Sequence, residues 1–201
     1  MKKTLLSVAA LVGLGFALAQ AEVTIGKPAP AFTLPSQDGT PTSLSTYKGK
    51  YVVLEWFNPG CPFVKKHYES GNMQKLQETY TRKGVVWLSI NSSAQGKEGY
   101  TTAKEASDIR LKWKSPSTAL LLDPEGKVAK LYSAKTTPDM FIIDPQGNLI
   151  YQGAIDDKAA TDPADIATSK NYVAAALDAA LAGKPVAEPF TKSYGCSVKY
   201  Q

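Results

Sequence analysis

Two cysteines are the only thiols in this 201-residue chain, and they lie far apart. Cys61 follows the turn Asn58-Pro59-Gly60, behind the apolar run "YVVLEWF" (51–57), and opens a stretch of helical pattern. Cys196 sits near the C-terminus in "YGCSVKY". A cysteine on the first turn of a helix faces unpaired backbone N–H groups and the positive end of the helix dipole. Both favour the thiolate, which is the nucleophile, and Lys65 one turn on adds positive charge. Position alone leaves two readings open, a reactive thiol or a buried structural cysteine. Glu55, six residues before Cys61, would be costly on a strand covered on both faces unless it were paired. Burial would raise its pKa and suit it to accept a proton from a thiol, while the alternative is a strand-end residue reaching solvent. His67, the single histidine, is six residues past Cys61 and is expected on the surface.

The opening "MKKTLLSVAALVGLGFALAQA" reads as a signal peptide over residues 1–21. Lys2 and Lys3 precede a short apolar run, and Ala19-Gln20-Ala21 fits a cleavage site. The mature chain, residues 22–201, is then expected in the periplasm or extracellular space, with no membrane attachment after cleavage. Two cysteines in an oxidising compartment are presumed a pair. The formal charge of +5 includes Lys2 and Lys3, and the remaining basic residues are interleaved with Asp and Glu. That balance argues against nucleic acid as a partner.

Roughly 180 mature residues suit one domain with a single core. Paired short extended pieces around "QDGT" predict an N-terminal hairpin. Buried strands are expected at 51–57, 84–91 and 118–123, and a two-strand hairpin at 138–153 around Pro-Gln-Gly. Helical patterns run from Cys61 to about Lys83, over 97–113, over 126–134 and over 166–183, the last stopped by Gly183 and Pro185. Strands alternating with helices predict an α/β domain, a central mixed sheet with helices on both faces. Residues 184–201 form an irregular C-terminal tail with no periodicity.

The order strand, "WFNPGCPF", long helix, then "TTPDMFIIDPQGNLIYQG" resembles the thioredoxin-like superfamily. "IGKPAPAFTLPSQDGTPTSLSTYKGKYVVL" is similar to the opening of the alkyl hydroperoxide reductase/thiol-specific antioxidant group. "CPFVKKHY", "TTPDMFIID", "GAIDD" and "YGCSVKY" together resemble its peroxiredoxin-like, or redoxin, members. The resemblance implies that Glu55 matches the buried acid six residues before the first cysteine of a CxxC. Cys61 then matches the exposed, attacking cysteine, and Val64 stands where the second cysteine belongs. An alternative register places Asn58 at a missing first cysteine. The resemblance also implies a cis-proline at Thr137-Pro138 beside the redox cysteine. Thr137, Pro138, Trp56, Pro62 and Phe63 would then surround a substrate. "CPFV" cannot close its own disulfide, so Cys196 is the one thiol in the chain able to resolve a product on Cys61.

Peroxiredoxins carry a Pro seven residues and a Thr three residues before the attacking cysteine, and a distant Arg. Here those near positions are Leu54 and Asn58, and the two arginines, Arg82 and Arg110, lie in helical, surface-type stretches. Three functions follow as expectations. The foremost is a thiol–disulfide oxidoreductase or peroxiredoxin-like enzyme using Cys61 and Cys196, without cofactor or metal. It would act on a thiol- or disulfide-bearing protein or a small oxidant, and an unidentified periplasmic reductant would recycle it. The second is a non-catalytic module with a Cys61–Cys196 clamp, worth about 4–5 kcal/mol by loop closure. The third is a Cu(I)-handling protein, since two thiolates suit that soft ion.

Overall fold

The computed structural model describes residues 23–200, so the signal-peptide reading falls outside the described residues. Five strands form the central sheet. They are β3 (Val52–Trp56), β4 (Val86–Asn91), β5 (Ala119–Leu122), β7 (Asp139–Ile143) and β8 (Leu149–Gly153), in the order β5-β4-β3-β7-β8. β3, β4 and β5 run parallel, β7 is antiparallel to β3, and β8 is antiparallel to β7. Every residue of β3, β4 and β7 is buried, as expected of strands covered on both faces.

Alternation along β3 sends Val53 and Phe57 to one face and Val52, Leu54 and Trp56 to the other. The first face packs against α1 (Pro62–Glu69), α2 (Asn72–Thr81), α3 (Ala103–Lys112) and α5 (Tyr172–Leu181). The second packs against α4 (Lys127–Leu131) and residues of the N-terminal hairpin, β1 (Thr33–Pro35) and β2 (Pro41–Ser43). Burial of each large side chain, Trp56, Trp87 and Phe141 among them, contributes about 1.5–3 kcal/mol.

Four expectations need correction. The helix expected over 166–183 is α5 alone, which starts at Tyr172 where Asn171 caps it, after a separate 3-10 turn at Pro163–Thr168. The helical pattern after Cys61 is two helices, because Gly71 adopts φ +79° and breaks it. The helix expected over 97–113 starts at Ala103, where Thr102 and Glu105 form a capping box, after Gly99 turns the chain at φ +81°. The tail is not wholly irregular. Its residues β9 (Cys196–Ser197) pair antiparallel with β6 (Thr136–Thr137), the strand just before the Pro138 loop. Upstream, Gln152 N donates to Pro189 O at 2.9 Å and Thr191 N to Gln152 O at 3.0 Å, so the tail also runs along β8.

Candidate active site

Cys61 is the N-cap of α1, with Pro62 at the first helical position, where a missing N–H costs nothing. The turn leading to it is built by Asn58. Its Oδ1 accepts from Gly60 N at 2.7 Å, and its Nδ2 donates to Glu98 O at 3.1 Å and Ser93 Oγ at 3.3 Å. These bonds hold the strand-to-helix corner and set the direction in which Cys61 leaves it.

Pairing of β6 with β9 puts Thr137 opposite Cys196, and the Thr137-Pro138 peptide is cis. The two sulfurs, 135 residues apart in sequence, come to 2.8 Å as free thiols. The Cys61 thiol donates to the Thr137 carbonyl oxygen at 3.0 Å, which leaves Cys196 to supply the proton between the sulfurs. Closing to a bond of about 2.05 Å needs the sulfurs to move by less than an ångström.

Burial by itself pushes the Cys61 thiol up, but hydrogen bonds from Cys196, the Thr137 side chain and the Val64 N–H outweigh it, and the net shift is downward. Burial and the neighbouring Cys61 push Cys196 up to about 12. The pair is therefore polarised, with one acidic thiol and one that holds its proton. Cys61 is only 1% exposed, whereas Cys196 is half-buried. The expected exposed cysteine is thus covered, and the tail that brings Cys196 is what covers it.

Glu55 is fully buried and accepts hydrogen bonds from four side chains. Tyr68 Oη donates to Oε1 at 2.9 Å, and Trp87 Nε1 (2.8 Å), Ser89 Oγ (2.9 Å) and Gln77 Nε2 (3.2 Å) donate to Oε2. Burial raises its pKa against the pull of those donors. None of its partners is a cysteine. Tyr68, two turns along α1 from Cys61, is its link to the redox helix.

Of the other residues singled out, Thr137 and Pro138 lie at the sulfur pair, and Val64 is buried at its expected place one turn into α1. Pro62 is exposed, and the half-buried Phe63 packs on the Tyr194 ring with centroids 5.8 Å apart. Trp56 points to the opposite core, against Tyr132 and Phe141, and has no surface to offer a substrate. Lys65 is half-buried, and its backbone N–H, rather than its ammonium, bonds to Cys61, donating to the carbonyl oxygen. His67, expected at the surface, is wholly buried, because it packs under the tail beside Asp156 and Tyr194.

No group of three or more His, Cys, Asp or Glu among the described residues is placed to hold a metal ion. Among the same residues, no helix is long and apolar enough to cross a membrane.

The mixed sheet, the cysteine at the strand-to-helix corner and the cis-proline beside it define a thioredoxin-like domain. The chain belongs to the AhpC/TSA family, which its residues 25–152 match. It is similar to the thiol-disulfide oxidoreductase ResA of Bacillus thuringiensis subsp. konkukian, 26% identical over 69% of this chain and 74% of that protein. It is also similar to the chloroplastic peroxiredoxin Q of Sedum lineare, 30% identical over 61% of this chain and 75% of that one. Among solved structures, a hypothetical protein of Sinorhizobium meliloti 1021 superposes with a TM-score of 0.76 at 27% identity. That likeness covers 90% of this chain and 97% of the other.

Proposed function

We propose that this protein is an exported thiol–disulfide oxidoreductase in which Cys61 is the nucleophile and Cys196 the resolving thiol. The observation that carries the reading is the 2.8 Å approach of the two sulfurs at the helix start. The name of the ResA relative, a thiol-disulfide oxidoreductase, supports the same reaction class.

The Cys61 thiolate attacks one sulfur of a substrate disulfide, forms a mixed disulfide and expels the other sulfur as a thiolate. Cys196 gives up its proton and attacks the Cys61 sulfur. The Cys61–Cys196 bond forms, the mixed bond breaks, and the substrate leaves as two thiols. Two electrons pass to the substrate, and an external dithiol returns them. Glu55 enters this reading as the buried acid behind α1 and Tyr68.

Disulfide exchange is favoured over hydroperoxide reduction because the groups able to activate a peroxide are engaged elsewhere. The Asn58 amide is spent on Gly60, Ser93 and Glu98. Arg82 is an exposed partner of Glu78, and Arg110 donates to the Ser117 carbonyl.

The test is equilibration of the mature protein in glutathione redox buffers, with alkylation and mass spectrometry following both thiols. A reversible Cys61–Cys196 disulfide, and insulin reduction that Cys61→Ser abolishes, are expected. A bond that never opens across the glutathione range, or never forms, would overturn the reading. Hydroperoxide consumption faster than disulfide reduction would reassign the oxidant.

A further inference from the structure

Beneath the tail lies a cluster of buried polar groups that the redox chemistry does not use. Lys66, His67 and Asp156 are each at most 2% exposed. They come from α1 and from the "GAIDD" segment that follows β8. They meet the tail at Tyr194, two residues before Cys196. The three motifs "CPFVKKHY", "GAIDD" and "YGCSVKY", far apart in sequence, thus converge on one contact.

The hydrogen bonds there run in one direction. Asn72 Nδ2 donates to His67 Nδ1 at 2.8 Å, which makes Nδ1 an acceptor and puts the ring proton on Nε2. Nε2 then faces Tyr194 Oη at 3.3 Å, and the Tyr194 hydroxyl donates to Asp156 Oδ1. Asp156 Oδ1 also accepts from Lys158 N at 3.0 Å. Lys66 Nζ donates to the Lys158 carbonyl at 2.9 Å and lies 4.0 Å from Asp156 Oδ2. Lys66 Nζ also stands 6.0 Å from the centroid of the Tyr194 ring, on which Phe63 packs. A buried lysine, histidine and aspartate are costly to assemble, and here they present one acceptor to one tail hydroxyl.

We propose that Tyr194 is a positioning residue, latched by the Asn72–His67–Tyr194–Asp156 chain, that holds Cys196 on Cys61 and so sets the rate and equilibrium of disulfide closure. The inference rests on the reading of Cys196 as the resolving thiol. Its physical content is an effective concentration: a tethered thiol closes a bond in proportion to the time it spends in the right place. The backbone pairing of Cys196 with Thr137 is only two residues long, and the further bond from Ala94 N to Lys199 O at 2.9 Å lies on the C-terminal side of the sulfur. The latch on one side and Val198 N donating to Lys135 O at 3.1 Å on the other bracket the sulfur.

The test compares Tyr194→Phe with the wild type. That variant keeps the ring against Phe63 and removes one hydroxyl. Tyr51→Phe is the control, since its hydroxyl bonds the Ala180 carbonyl at 2.9 Å away from the tail. The effective concentration of Cys196 is read from the equilibrium between the glutathione mixed disulfide on Cys61 and the Cys61–Cys196 bond. In that step the glutathione sulfur leaves with the Cys196 proton. Tyr194→Phe is expected to lower the effective concentration about tenfold and Tyr51→Phe to leave it unchanged. His67→Gln is expected to fall between the two. In a Cys196→Ser background, Tyr194→Phe should leave Cys61 at least as reactive toward glutathione disulfide, because the tail it loosens is what covers that sulfur. An effective concentration within about twofold of the wild type would overturn the proposal. So would an equal loss of Cys61 reactivity in the Cys196→Ser background, which would mark a general lesion. If the wild type closes no Cys61–Cys196 bond at all, the reading of Cys196 fails first and the latch with it.

Discussion

Gly195 passes so close to the peptide before Pro138 that a β-carbon on it would stand 2.1 Å from the Thr137 carbonyl oxygen. Its φ of +138° is also one that side chains rarely adopt. Gly153 meets the tail in the same way, since a β-carbon there would lie 2.2 Å from Thr191 O. Both glycines exist to let the tail reach the sheet and the cis-proline loop.

Gly195→Ala should therefore push the tail off β6. Strain of about 1–3 kcal/mol at this position exceeds what a two-residue pairing returns. Cys196 should become freely alkylated in the reduced protein, while the far-ultraviolet circular dichroism and the thermal midpoint of the central domain change little. Cys196 as slow to alkylate as in the wild type would show that the backbone can yield there.

Val64→Cys places a second thiol one turn into α1, in the window that the thioredoxin-like pattern uses. The oxidised variant should carry a bond between Cys61 and the thiol introduced at position 64 in place of Cys61–Cys196, with Cys196 left free. Peptide mapping without reduction distinguishes the two. A retained Cys61–Cys196 bond would mean that the tail outcompetes the local partner.

Removing the buried acid should cost more than removing an ordinary polar residue. Glu55→Ala strands donors on Tyr68, Trp87, Ser89 and Gln77, and a loss on the order of 2–4 kcal/mol is expected from urea unfolding. Glu55→Gln keeps an acceptor oxygen and should lose less. If Glu55 also takes up the thiol proton, Glu55→Gln will flatten the pH dependence of disulfide closure. A stability loss with an unchanged pH profile assigns it to structure alone.

Two buried groups should bend the stability–pH curve in opposite directions. Burial raises Asp139 to about 7 from 3.8, against bonds from the Lys135 and Thr136 backbone. Its folded form holds the proton more tightly than the unfolded chain does. Its contribution is complete below about pH 4 and is lost as pH rises to about 7. Burial lowers His67 to about 4 from 6.5, with Asp156 opposing and Lys66 assisting. Its contribution is complete above about pH 6.5 and is lost as pH falls through about 4. Relative to the wild type, Asp139→Asn should make the slope of stability against pH more positive across this window, and His67→Gln should make it more negative. Parallel urea-denaturation series for both variants check the pair, and matching slopes would refute the assignment.

The central strands and the closing hairpin are legible in the sequence because β3, β4 and β7 are apolar on both faces, a pattern that depends on nothing remote. The juxtaposition of Cys61 with Pro138 is legible only through resemblance. Helical spacing from Cys61 misplaces His67 at the surface, because its cover is Tyr194, 127 residues away, and spacing carries no information about that. The pairing of β9 is invisible for a related reason. It is made by backbone atoms of Cys196 and Ser197, whose side chains follow no period. The signal that could have pointed to the latch is the opposite charge of "KKH" and "GAIDD", two motifs that the resemblance already groups with the tail's "YGCSVKY".

The tail lies where an extended partner strand would add to the edge beside Pro138, since β9 already takes the hydrogen bonds of Thr136 and Thr137. The domain thus carries its own first client. A polypeptide strand adding at this edge would first have to displace β9. Selectivity in such an arrangement comes from occupancy rather than from a sculpted pocket. On the proposed function, a reactant would have to be small enough to pass the tail or able to evict it.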